Sequence, residues 1–215
     1  MRPDKMVAVF LMRVTLPDRP GSLGLVASAV GRAGADITSV QIVGRTDGAV
    51  IDDFTLTMPP DRMVDQVVSA CHGLAGVHVD WISRYPEGGG VESDIEALEQ
   101  MTNDPENGAA TLAASAIRVF TVHWALLVQL GDEPATLFST PNAPDLEADQ
   151  IRELAPWGNA QARELPAGWL EGWGEVVVGV APVRGNRAVI IGRQGGPIFL
   201  QSELARLGHL AALAT

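Results

Sequence analysis

The chain has a single cysteine, Cys71. That scarcity excludes an internal disulfide and a four-thiolate metal site, and it suits a reducing compartment, so a cytoplasmic location is expected. No uncharged apolar stretch approaches the ~18 residues of a membrane helix. The apolar run Met6 to Met12 follows Arg2 and Lys5, as in a short signal peptide. Arg13 interrupts it, however, and Pro17-Asp18-Arg19 stands where a small-residue cleavage site would be, so it reads as a buried strand. No basic patch is present to meet a phosphate backbone, and no nucleic-acid partner is expected. His72, His78, His123 and His209 share no metal-ligand spacing. Cys71 and His72 are adjacent on a helical stretch and diverge by ~100°, so they do not form a nucleophile and base, and Cys71 falls on the apolar stripe. Gln194-Gly195-Gly196-Pro197 lacks the Lys-Ser/Thr ending of a nucleotide loop and reads as a turn before a helix. No catalytic residue, metal set or cofactor loop emerges.

What is present suffices for sizeable cores: 215 residues, 47% of them hydrophobic. The formal net charge of −11 is unevenly spread. Residues 1–86 carry eight Lys and Arg against nine Asp and Glu, whereas residues 87–215 carry seven against seventeen. Solubility accounts for that acidity.

Residues 7–16 alternate, with Ala8, Phe10, Met12, Val14 and Leu16 on one face and Arg13 and Thr15 on the other, as in a half-buried strand. Residues 21–33 place Leu23, Val26, Ala27 and Val30 on one helical face, and Gly34 is a C-terminal stop. Residues 36–45 read as a second strand, Thr46-Asp47-Gly48 as a hairpin turn and residues 49–58 as a third strand. Asp61 is placed to cap a helix holding Val64, Val67, Val68 and Cys71. Val77 to Arg84 is a fourth strand. The order strand, helix, strand, strand, helix, strand predicts an α+β, ferredoxin-like unit with both helices on one face of an antiparallel sheet. Asp52 and Asp53 interrupt the third strand. Strand neighbours point to opposite faces, so the two do not share a substrate, and only Asp52 breaks the apolar face. It reads as a strand end or a contact near a pairing seam.

The stretch Leu16-Pro17-Asp18-Arg19-Pro20-Gly21-Ser22-Leu23 closes the first strand and opens the first helix. Pro20 suits a first helical turn. The N–H groups of Gly21, Ser22 and Leu23 sit at the positive end of the helix dipole, where a small carboxylate fits. The same residues also read as a turn with a helix start and nothing more. Asp18-Arg19-Pro20-Gly21-Ser22-Leu23, followed by Gly34-Ala35-Asp36-Ile37 in this topology, resembles an ACT domain over residues ~8–85. The resemblance implies a free amino acid, or a similar small molecule, bound at the seam between two copies. It implies that Asp18, Arg19, Pro20, Gly21, Ser22, Leu23, Asp36 and Ile37 face that seam, in a homodimer or higher homo-oligomer. Some serine-binding relatives have Asn where Asp18 and Asp36 stand here. Two aspartates repel a carboxylate and attract an ammonium, and they are expected to meet at one edge of the sheet.

Pro86-Glu87-Gly88-Gly89-Gly90 reads as a linker. Residues 87–106 hold seven acidic side chains and no basic one, with Ile95, Leu98 and Met101 at helical spacing, as in a solvated helix that docks on a partner chain. Beyond it, residues 106–119 read as a helix with Leu112, Ala116 and Val119 inward. Trp124 to Leu130 and Ala135 to Ser139 read as strands, and Asp145 to Leu154 as a helix. Ala155 to Gly174 is irregular, and its Trp157, Trp169 and Trp173 read as packing residues. Val176 to Val183 and Ala188 to Arg193 are strands joined by a tight turn. A last helix opens at Pro197-Ile198-Phe199 and turns Leu204, Leu207, Leu210, Ala211 and Leu213 inward. Ala188-Val189-Ile190-Ile191-Gly192-Arg193, then Phe199 and Glu203-Leu204-Ala205-Arg206-Leu207, resemble a small GAF-like domain by pattern. The expected organisation is an ACT domain over 1–86, an acidic linker or helix over 87–105 and a GAF-like domain over 106–215. The expected function is a non-catalytic, ligand-binding regulatory protein without metal or cofactor. The alternatives are an enzyme of amino-acid metabolism whose catalytic part is the C-terminal half, and a pure assembly adaptor.

Overall fold

The computed structural model describes residues 8–84, 91–155, 157–165 and 168–214. The linker expected over Pro86 to Gly90 and the start of the Met6 to Met12 run lie outside the described residues. The fold is α+β with two antiparallel sheets, and the chain divides into two compact units, Met1–Glu87 and Gly88–Thr215. Among the described residues no helix is long and apolar enough to cross a membrane.

In the first unit, alternation produces the strands. β1 (Ala8–Pro17) buries Met12, Val14 and Leu16, and β3 (Ala49–Met58) buries Val50, Phe54, Leu56 and Met58. β2 (Asp36–Thr46) and β4 (His78–Arg84) complete a sheet of order β2-β3-β1-β4. α1 (Ser22–Arg32) and α2 (Val64–His72) send Val26, Val30, Val67 and Cys71 into one core with those strand residues, so both helices cover one face. α1 stops in a Schellman motif. Gly34 takes φ 86°, its N–H reaches Gly31 O, and Ala35 N–H reaches Val30 O. On the sheet's other face Arg13 stands directly opposite Asp53 and grips it with two parallel hydrogen bonds of 2.7 and 2.8 Å.

Three local expectations fail here. α1 begins at Ser22, and its inward residues are Ser22, Val26, Ala29 and Val30, whereas Leu23 is exposed. Pro20 precedes the N-cap and so lies outside the first helical turn. Asp61 does not cap α2, whose N-cap is Met63.

In the second unit both faces of the sheet's centre are covered, so β5, β8 and β9 are continuous apolar runs rather than alternating ones, whereas the edge strands β6 and β7 are not. The order is β6-β5-β9-β8-β7, from β5 (Trp124–Gln129), β6 (Ala135–Ser139), β7 (Gln161–Glu164), β8 (Val176–Val183) and β9 (Arg187–Gln194). Ala125, Leu127, Val177, Val189 and Ile191 face α4 (Gly108–Val119) and α6 (Gln201–Leu213). Trp124, Leu126, Val178, Val180 and Ile190 face the other way, towards Ile151 on the short helix α5 (Ala148–Glu153) and the loops around Leu146 and Leu170. α3 (Val91–Asn103) buries Ala97 and Met101 in the α4–α6 core, so it packs within its own unit instead of standing solvated. β7 lies in the stretch expected to be irregular. α6 starts after Phe199, and Leu213 points outward. Trp157, Trp169 and Trp173 are half-buried against the second core, consistent with packing.

Candidate functional site at the head of the first helix

Arg19-Pro20-Gly21-Ser22 forms a type II turn. Ser22 N–H reaches Arg19 O at 3.3 Å, and Gly21, at φ 92° and ψ −16°, occupies the position that demands a left-handed residue. Gly21 is also the N-cap of α1 and offers no side chain to the first turn, whose first helical bond is Leu25 N–H to Gly21 O. The amide of Ser22 is therefore occupied by the turn. The N–H groups of Leu23 and Gly24 stay without an acceptor among the described residues.

Asp18 is held at the β2–β3 hairpin by its N–H, which donates to Gly48 O at 3.0 Å. Its carboxylate accepts from Arg45 Nη1 at 2.7 Å in an exposed ion pair. The stabilisation from such a pair is small, because water screens it. Its value is placement: a fixed cation stands beside a fixed anion at the head of α1, where two aspartates alone would have repelled a carboxylate.

Below this end, Asp52 interrupts the helix-covered face between Val50 and Phe54, opposite Val14 on β1. It is 3% exposed, and its Oδ1 has no hydrogen-bond partner among the described residues. Ser22, on the inward face of α1, is 5% exposed and its Oγ is likewise unpartnered. Burial pushes the Asp52 carboxyl above the usual carboxylate range. Arg45 pulls it down, and Asp53 and Asp18 push it up. Asp52 thus feels both members of the surface ion pair. Orphaned buried polar atoms are uncommon in native proteins and point to strain or function.

The remaining predicted residues are not gathered here. Arg19, Pro20 and Leu23 lie on the exposed surface of the same loop and first turn. Asp36 and Ile37 open β2 opposite Thr57 and Leu56, whereas Asp18 follows Pro17, which pairs with Ala49. Eight strand steps separate Ala49 from Thr57, roughly 25 Å. The expectation that Asp18 and Asp36 meet at one edge is therefore wrong within one chain. α1 carries the chain back along the sheet, so β2 begins at the end opposite to where β1 stopped. Arg45 was missed because nothing in its local sequence marks it. Only the two-residue hairpin loop brings it beside Asp18.

Asp52 has a stability consequence whose sign is fixed. Its folded-state pKa is raised, so above the ordinary carboxylate range the folded chain holds a proton that the unfolded chain has lost. Stability then falls as pH rises through that window, and the penalty persists at neutral pH. Asp52→Leu fills an apolar face and is expected to stabilise the first unit by about 1–3 kcal/mol at pH 7. The gain should fade below about pH 4, where both states are protonated. Urea melts at the two pH values measure it, and an unchanged or lower midpoint at pH 7 would contradict it.

No protein-family model and no curated protein matches this chain. Among solved structures it is similar to the GAF domain of an Acinetobacter phosphoenolpyruvate-protein phosphotransferase, at 10% identity and a TM-score of 0.41, covering 58% of this chain and 89% of that one. The GAF domain of the corresponding Coxiella burnetii protein is 14% identical, with a TM-score of 0.36 and coverage of 57% and 90%. A formyltetrahydrofolate deformylase from Pseudomonas putida KT2440 is 9% identical, with a TM-score of 0.29 and coverage of 45% and 38%. At such identities and scores these likenesses carry no argument about what this chain binds or does.

Proposed function

We propose that the protein is a non-catalytic sensor whose first unit is an ACT-type module for a small zwitterion, a free amino acid, and whose second unit is GAF-like. The observation that carries this reading is the pair of buried, unpartnered polar atoms, Ser22 Oγ and Asp52 Oδ1, at the end of the sheet where α1 begins. A ligand carboxylate is matched by Arg45 and by the free amides of Leu23 and Gly24, and a ligand ammonium by Asp18 and Asp52.

A second copy completes the arrangement. β2 is an edge strand, and Val40 and Ile42 on it are 39% and 55% exposed. Exposed apolar edges invite strand pairing. A two-fold, antiparallel pairing of two β2 strands sets the Asp36 end of one copy beside the Thr46 end of the other. Asp36 and Ile37 then approach the Asp18–Arg45 pair of the opposite chain. A ligand bound across that seam favours the paired state by its differential affinity, which is a signal without covalent chemistry.

Calorimetric titration and thermal melting against the twenty proteinogenic amino acids test the reading. One of them should give saturable heat and raise the melting temperature by several degrees. Arg45→Ala and Asp52→Leu should each weaken it at least about tenfold, the loss of one charge-assisted contact. Silence from all twenty overturns the sensor reading in favour of an adaptor, and turnover of any of them favours an enzyme.

A further inference from the structure

The second unit carries a cavity of about 280 Å³ at the β6 edge of its sheet. Ala114 and Ile117 of α4, Phe138 of β6 and Pro141 make its apolar wall, and His123, Thr140 and Asn142 are its polar members. Thr140 is fully engaged. Its hydroxyl donates to Ala125 O at 3.2 Å and accepts from Ala125 N–H at 2.9 Å, which locks the strand end beside the cavity.

His123 differs. Its own N–H is tied to Gly192 O at 2.8 Å, and its Nδ1 accepts the N–H of Gln194 at 3.1 Å. An accepting Nδ1 requires the proton on Nε2, so the tautomer is fixed by the backbone of β9. Burial and the nearby Arg193 cation both lower the imidazole's pKa, which keeps the ring neutral at physiological pH. His123 is an exposed residue at the cavity's mouth, and Nε2–H is the one donor its neutral ring can offer an occupant, beside an apolar wall of the composition expected of a small-molecule pocket. The strongly acidic balance of residues 87–215 disfavours an anionic occupant.

We propose that this cavity binds a compact, neutral, apolar molecule bearing one carbonyl acceptor, with His123 Nε2–H donating to the carbonyl oxygen and Ile117 and Phe138 packing on the apolar body. This site is in a different unit from the amino-acid site proposed above, and neither depends on the other.

Benzamide is the probe, with benzoate as its charged counterpart, titrated into the full chain while the histidine imidazole ¹⁵N signals are followed by NMR. Benzamide should shift the His123 Nε2 signal saturably, with a Kd of about 1 mM. Ala114→Phe plugs the rim from an exposed position and should abolish the shift while leaving the fold intact. His123→Phe should weaken benzamide about fivefold, read from the backbone amides of Phe138 and Ile117. Three results overturn the proposal: no saturable shift, a shift that survives Ala114→Phe, or benzoate binding as tightly as benzamide.

Discussion

Glu203→Ala is expected to destabilise the second unit by about 3–5 kcal/mol, the cost of leaving a buried charge unpaired. Arg193, on β9, is 1% exposed. Its Nη2 donates to Glu203 Oε1 at 2.5 Å and to Phe120 O at 2.7 Å, and its guanidinium lies 4.2 Å from the centre of the Phe199 ring. The same carboxylate caps α6, since Glu203 Oε2 accepts the N–H of Leu200 at 2.8 Å. One side chain thus neutralises the cation under the sheet and closes the first turn of the last helix. Removing it takes the counter-charge from the cation, which keeps only neutral acceptors such as Phe120 O, and the acceptor from the Leu200 amide. Glu203→Gln keeps an acceptor for Leu200 but loses the charge, so its loss should be intermediate. Urea unfolding followed by tryptophan fluorescence reads the effect as a lower midpoint at unchanged slope. A Glu203→Ala loss below about 1 kcal/mol would show that Arg193 does not need the carboxylate's charge there.

Gly192→Ala should cost about 3 kcal/mol or more, beyond the usual range for one added methyl group. Gly192 stands directly opposite Trp124 in the β5–β9 ladder. A Cβ built there would lie 2.0 Å from Trp124 Cε2 and 2.2 Å from Cζ2. The indole cannot yield. It is fully buried, and Trp173 meets it edge-on at 6.2 Å between ring centres. The expectation is specific to this pair, so Trp124→Leu should rescue Gly192→Ala although each change alone destabilises. A double-mutant cycle by urea melts measures the coupling, and additive losses would contradict the geometry.

Much of this architecture was legible because hydrophobic period reports which faces are buried. The alternation in β1 and β3 and the continuous apolar runs of β8 and β9 each matched the elements that formed. β7 is not legible in the chain, because Gln161-Ala162-Arg163-Glu164 carries no apolar pattern and is held at the sheet edge by its ladder to β8. Helical spacing turns Leu23 inward, yet α1 starts one residue after Gly21 and rotates Ser22 into that position. At the site, Asp18 and Gly21 were visible as turn chemistry, because a Pro-Gly pair after a strand has few conformations open to it. Asp52 was visible only as a polar interruption of an apolar face, and its lack of a partner could not be read from the chain.

The chain alone determined the order of the first unit's strands and helices, the buried faces of β1 and β3 and the turn before the first helix, since these follow from residue period and local sterics. Only the tertiary structure decided that Arg45 meets Asp18, that Asp36 sits at the far end of the sheet, and that Asp52 lies buried within reach of the Asp18–Arg45 field. Those relations depend on strand register and on the length of the returning helix. They join residues distant in sequence, and no local pattern encodes them.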